Sequence, residues 1–278
     1  MDKNTLLDAL RKAPILDLYT LYQEVGDSIS LYTLMDALNE IKKEHGLDTR
    51  LSSFKTQIER LLEDSNFSGG DSESIQRLKD KLEFEQRGHS MSRYILATDG
   101  HRHYAPQANL VMFGDSITEW GPWVDALRDY SLVNRGIAGD TTAGMLRRID
   151  TTLLVKPKLV CVMAGINDLA QGYSVNEVFK NYQQMLNVWR EKGVDVLVQS
   201  TLYGGERLES LTSQVTELNQ KLFDYCQTHQ LRFLNVNQVL APQSKLLDEY
   251  SCDDLHLSAY AYLKWLEILK PELKTSNL

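Results

Sequence analysis

From residue 108 onward the chain alternates short, mostly apolar runs with longer stretches of helical periodicity, and no other feature of the sequence constrains the fold as tightly. The runs fall at 110–113, 132–133, 159–164, 194–199 and 232–236, and the helical stretches near 122–129, 142–153, 175–192, 208–229 and 258–269. A strand with one wet face would alternate apolar and polar residues; these runs do not, so both faces must be covered. Helices between successive strands make the strands parallel. The expectation is a three-layer α/β/α domain with a five-stranded parallel sheet. In such open sheets ligands bind beyond the carboxyl ends of the strands, so chemically suggestive residues should follow the apolar runs.

Residues 1 to about 96 read as helix almost throughout. Leu31, Leu34, Leu38 and Ile41 share one face, Phe54, Ile58, Leu61 and Leu62 another, and Ile75, Leu78 and Leu82 a third. Residues 64–72 have turn composition, and 99–107, with Gly100 and Pro106, reads as the link to the sheet domain. The expected division is therefore a helical N-terminal unit over 1–100 and a sheet domain over 101–278. The helical unit is read as a buttress, an oligomerisation surface or an adaptor for a protein partner. The net charge of −8 is spread evenly along the chain, which excludes a basic nucleic-acid arm. No run approaches the roughly 18 to 20 apolar residues of a membrane span, and the N-terminus carries no secretion-signal pattern. Three cysteines, at 161, 226 and 252, have no paired spacing. A reducing, cytoplasmic setting is expected.

Four segments after the runs carry chemistry. Gly114-Asp115-Ser116-Ile117-Thr118 places a serine at a strand-to-helix turn, where its hydroxyl can enter the cleft and its own amide can face a developing oxyanion. Thr118 stands where a Gly-x-Ser-x-Gly elbow would need its second glycine, which argues against that family of hydrolases. Residues 134–142 hold two glycines, Gly136 and Gly139, either of which leaves an amide free for a ligand. Asn167, in Gly165-Ile166-Asn167-Asp168, offers a neutral donor. In Asp253-Asp254-Leu255-His256 the acid precedes the histidine by three, the spacing of one helical turn, so Asp253 can hold one imidazole nitrogen while the other faces out. Each segment alone reads as a turn or a cap. Together they supply a nucleophile, oxyanion donors, and a base with its orienting acid. His101 and His103 form a His-x-His pair without an acidic or cysteine cluster, so no metal site is assigned to them.

These four blocks resemble, in order and spacing, those of the SGNH/GDSL hydrolases, over roughly residues 108–271. The resemblance implies a flavodoxin-like hydrolase fold with Ser116 as nucleophile, His256 as general base and Asp253 as its partner. It further implies an oxyanion hole built from the Ser116 amide, the Gly139 amide and the Asn167 side chain. The second block is similar to the branch that includes platelet-activating-factor acetylhydrolase subunits and carbohydrate acetylesterases. No metal or organic cofactor is required. Expected function is carboxylic-ester hydrolysis through an acyl-enzyme on a short acyl ester, such as an O-acetylated carbohydrate. O-acyltransfer with the same triad, a lysophospholipase-like activity and a non-catalytic binding module are the alternatives. Trp120 and Trp123 are read as filling the edge of the core rather than walling a substrate pocket, and Tyr203, Gly204 and Gly205 as bordering the cleft.

Overall fold

The computed structural model describes residues 3–12, 31–44, 92–276 and 278, and the chain divides into two compact units, Met1–Gly100 and His101–Leu278. In the first unit, α1 (Lys3–Lys12) and α2 (Leu31–Glu44) are joined by ion pairs from Lys3 to Asp36 and Glu40 and from Arg11 to Glu44. Leu6, Leu7, Ala37 and Ile41 are buried. The second and third apolar stripes and the turn at 64–72 lie outside the described residues. Helix α3 (Ser92–His103) covers the first half of the segment expected to be a linker. Gly100 interrupts it at a cost of only about 1 kcal/mol relative to alanine, and nothing lies within 4 Å of where its Cβ would be.

The second unit is built on five parallel strands, β1 (Leu110–Gly114), β2 (Leu132–Gly136), β3 (Leu159–Met163), β4 (Asp195–Gln199) and β5 (Arg232–Leu234), in the order β2-β1-β3-β4-β5. Every residue of the central strands β1 and β3 is buried. That explains why their sequences do not alternate: helices cover both faces. Between the strands run α4 (Ser116–Glu119), α5 (Trp123–Ala126), α6 (Thr142–Arg147), α7 (Asp150–Leu153), α8 (Ile166–Ala170) and α9 (Val175–Glu191). They are followed by α10 (Thr212–His229), α11 (Asn237–Leu240) and the closing α12 (Ala259–Lys274). A capping box at Ser174 and Glu177 starts α9. Among the described residues no helix is long and apolar enough to cross a membrane.

Several boundaries differ from the sequence expectation, and those nearest the strand ends on the β2 side bear on the site. Strand β2 runs to Gly136, so Asn134, Arg135 and Gly136 belong to it rather than to the following loop. The backbone register with β1, not side-chain polarity, sets that length, Gly114 pairing with Gly136. The helix expected near 142–153 is two short helices, and the one near 122–129 spans only Trp123–Ala126. The chain runs outward from β1 to β2 and then crosses back to β3, so the loops after β1 and β3 face each other across the switch point.

Candidate active site

Ser116 opens α4, a helix of four residues, far too short to hold itself together in water. It is held from outside. The Asp115 carboxylate caps its N-terminus by accepting from the Ile117 amide at 3.0 Å. At the other end the Tyr262 hydroxyl donates to the Ile117 carbonyl at 2.6 Å, and the Trp123 indole and the Asn134 amide donate to the Thr118 carbonyl at 2.7 and 3.1 Å. Strand β2 lies so close beneath that a Cβ on Gly136 would stand 2.2 Å from the Glu119 nitrogen. The aromatic side chains that clamp the serine turn thus come from α5 and α12, and Trp123 is entirely buried among them.

His256 reaches this turn from 140 positions away, with Nε2 2.9 Å from the Ser116 Oγ. Its Nδ1 lies 2.5 Å from Asp253 Oδ2. The acid and the histidine do not sit on a helical turn, as their spacing suggested. They occupy a tight loop closed by an antiparallel bridge between Ser251 and Leu257, with Asp254 at φ 68°. Asp253 Oδ1 accepts from the amides of Leu255 and His256 at 3.1 and 2.8 Å, an Asx turn that fixes the carboxylate. Burial alone would raise the Asp253 carboxyl, but the hydrogen bonds from the His256 ring and from the two amides outweigh it and hold it well below the usual carboxylate range. Gly204 and Gly205 back this loop rather than line open cleft. The Gly205 amide donates to the Asp254 carbonyl at 2.7 Å, and a Cβ on Gly205 would meet the Asp254 carboxylate at 2.3 Å. Arg207, not singled out from the sequence, donates from its guanidinium to the Asp253 carbonyl at 2.6 Å.

The two candidate glycines, Gly136 at the end of β2 and Gly139 in the loop beyond it, separate by their hydrogen bonds. The Gly136 amide donates to the Asn134 side chain at 2.9 Å. In the loop beyond it, the amides of Ile137, Ala138, Asp140 and Thr141 donate to the Gly114 carbonyl, the Glu119 carboxylate, the Ile137 carbonyl and the Asp140 carboxylate respectively. The Gly139 amide, at φ 80°, has no acceptor among the described residues. Asn167 is turned toward this loop, its Nδ2 donating to the Asp140 carbonyl at 2.9 Å, which leaves the second N–H of the same amide for a ligand.

Beneath the loop lies a buried polar network that the sequence reading missed. Arg148 and Asp140 are ion-paired at 2.6 Å with both side chains fully buried. The guanidinium also donates to the Arg135 and Gly114 carbonyls at 2.7 and 3.0 Å and lies over the Phe113 ring. Asp168 accepts from the Thr142 amide at 3.0 Å and from its hydroxyl at 2.5 Å, tying α8, which follows β3, to the start of α6, which follows β2. Burial raises the Asp140 carboxyl to about 6 against the pull of Arg148. It raises Asp168 and Asp115 to about 7, and Asp115 Oδ2 has no hydrogen-bond partner. Over pH about 4 to 7 these three carboxyls of the folded protein therefore retain protons that ordinary carboxylates of the unfolded chain have released, and their contribution to stability falls as pH rises through that window. Asp115→Asn keeps the cap on Ile117 and removes one of these titrations. Denaturant unfolding at several pH values between 4 and 7.5 is expected to show a flatter decline for this variant; identical slopes would mean that Asp115 titrates alike in both states.

The two tryptophans divide. Trp123 is core, as expected, but Trp120 is 52% exposed, with its ring centroid 4.1 Å from that of His256. The reason is helical spacing: Trp120 follows Ser116 by four, its amide donating to the Ser116 carbonyl at 3.0 Å, so the two side chains share a face. Desolvation, aided by the Arg148 and Arg135 charges, pushes the partly buried His101 imidazole down to about 3. Among the described residues no group of three or more His, Cys, Asp or Glu side chains is arranged to hold a metal ion.

Over 160 residues, 58% of the chain, the sequence is 28% identical to an N-acylneuraminate cytidylyltransferase of Streptococcus agalactiae, of which the chain spans 37%. It is 34% identical over 110 residues to Esterase TesA of Pseudomonas aeruginosa, a match covering 34% of this chain and 54% of that protein. The fold superposes on that of a GDSL-like lipase from Bacteroides thetaiotaomicron with a TM-score of 0.60 at 22% identity, covering 69% of this chain and 99% of the other. The family model of GDSL-like lipases and acylhydrolases matches residues 112–264, more than half of the chain, from the middle of β1 into α12. The chain belongs to the GDSL-like lipase/acylhydrolase family.

Proposed function

We propose that this protein is a carboxylic-ester hydrolase that works through an acyl-enzyme on Ser116. The observation that carries the reading is the continuous line from the Ser116 hydroxyl to His256 Nε2 at 2.9 Å and from His256 Nδ1 to Asp253 at 2.5 Å. His256 takes the hydroxyl proton as Ser116 Oγ bonds to the ester carbonyl carbon, and Asp253 stabilises the imidazolium that results. The tetrahedral oxyanion is held by the Ser116 and Gly139 amides and the free N–H of Asn167. His256 then protonates the departing alcohol, and water, activated by the same imidazole, releases the acid. Asn167→Ala is expected to lower kcat by about 10²- to 10³-fold with little change in KM, read by steady-state kinetics on an acetyl ester.

The substrate we propose is a short acyl ester, with acetyl as the acyl group and a carbohydrate as the alcohol. An aromatic ring exposed beside His256 suits the flat apolar face of a sugar. The relative named for N-acylneuraminate, a sugar acid, points the same way. The test is fluorophosphonate labelling of the full chain together with turnover of acetyl, butyryl and octanoyl esters. A labelled serine and a rate falling with acyl length are expected. An unlabelled protein would end the proposed mechanism, and an octanoyl preference would end the proposed substrate.

A further inference from the structure

We infer that Trp120 is the alcohol-side recognition surface of this site, a platform for a pyranose ring in the leaving group rather than a wall for the acyl chain; the inference rests on the hydrolase reading above. The geometry of the proton transfer carries it. In the acylation step the Ser116 Oγ–carbon bond forms, the carbon–alkoxy oxygen bond breaks, and the proton taken from Ser116 passes from His256 Nε2 to the departing oxygen. That oxygen must lie within hydrogen-bond reach of Nε2, so the alcohol occupies the His256 side of the cleft, while the carbonyl oxygen is drawn the other way, toward Gly139 and Asn167. Trp120 stands on the His256 side. Its ring is tilted by 41° against the imidazole at 4.1 Å between centroids, and about half of the residue remains exposed.

The backbone that carries the ring is anchored to the nucleophile: Trp120 caps the C-terminal end of α4, with its amide bonded to the carbonyls of Ser116 and Thr118, so its Cα keeps its place beside Ser116. A pyranose offers a face of axial C–H groups to an aromatic ring, whereas a two-carbon alkyl alcohol covers little of it.

Two acetyl esters that differ only in alcohol isolate the effect, because both form the same acetyl-enzyme and share its hydrolysis. Any difference in kcat/KM between them arises while the alcohol is still bound. For an O-acetylated methyl pyranoside and for ethyl acetate, the ratio of kcat/KM values is expected to fall about tenfold in Trp120→Ala, an order of magnitude set by the area of one stacked ring face. Trp120→Phe is expected to restore most of that ratio. An unchanged ratio in Trp120→Ala would overturn the inference, whether both rates fell together, which would make Trp120 a support for His256 alone, or neither did. Fluorophosphonate labelling of the same preparations separates the two levels. Wild-type protein that labels but shows an unchanged ratio on Trp120→Ala sinks only the recognition surface, whereas wild-type protein that does not label sinks the hydrolase reading itself.

Discussion

Alanine at Ser116 is expected to lower kcat for ester hydrolysis by about 10⁴- to 10⁶-fold and to abolish fluorophosphonate labelling, while leaving the unfolding transition where it is in the parent protein. The size of the effect follows from what the hydroxyl does: without it no acyl-enzyme forms, and only binding and the oxyanion donors remain to act on direct attack by water. The neutral effect on folding follows from the contacts. Asp115, not Ser116, caps α4, and the other end is held by Tyr262, Trp123 and Asn134, none of which bonds the Ser116 side chain. His256→Ala is expected to cost nearly as much, and the double variant no more than either single one, because the two groups act as a unit. Kinetics on one acetyl ester with thermal unfolding of the same samples reads all of this. A Ser116→Ala protein that keeps a tenth of the parental rate would show that another group is the nucleophile.

Much of this arrangement was legible before any coordinates, for identifiable reasons. The five strands announce themselves because a parallel sheet buried on both faces demands unbroken apolar runs, such as Leu159 to Met163, that no helix or half-wet strand produces. The positions of Ser116, Gly139 and Asn167 just beyond buried strands were legible because the apolar runs that end before them mark where each strand stops. What was not legible depends on contacts between segments distant in sequence. The Asp253 loop looks like the start of a helix because three-residue spacing is helical. Its actual shape comes from the Ser251–Leu257 bridge and from the Gly205 amide, 49 positions earlier, bonding the Asp254 carbonyl. Trp120 could have been separated from Trp123 by the Gly121-Pro122 pair between them, which closes the turn that carries Ser116, a signal present in the sequence and outweighed there by the general tendency of tryptophan to bury.

Arg148 is the plainest omission. In Leu146-Arg147-Arg148-Ile149 a pair of arginines near a helix end reads as a solvated, dipole-complementing pair, and only the fold shows that the second of them is wholly buried. Its removal carries the largest expected effect on stability. Arg148→Met fits a similar volume but leaves the Asp140 carboxylate buried and unpaired, and leaves the Arg135 and Gly114 carbonyls without that donor. Breaking a buried pair from one side costs about 3 to 5 kcal/mol, which for a unit of this size lowers Tm by roughly 10 °C. The loss has a pH signature with a definite sign. With Arg148 present, burial already raises Asp140 to about 6. Removing the guanidinium takes away the attraction that favours the charged form, so the folded-state value rises further above that of the unfolded chain. The variant then binds more protons folded than unfolded over a wider range, and its stability falls more steeply with rising pH than the parent's. Below that range Asp140 is protonated, no charge is stranded, and the deficit shrinks. Arg148→Met combined with Asp140→Asn is expected to recover part of the loss at neutral pH, since neither charge remains. The kinetic arm separates fold from site: the Asp140 carbonyl orients Asn167, so in samples that are fully folded by circular dichroism kcat is expected to fall while KM holds. A deficit that is the same at pH 5 and pH 8 would show that Arg148 supports the loop through packing alone, and not as the counter-charge of Asp140.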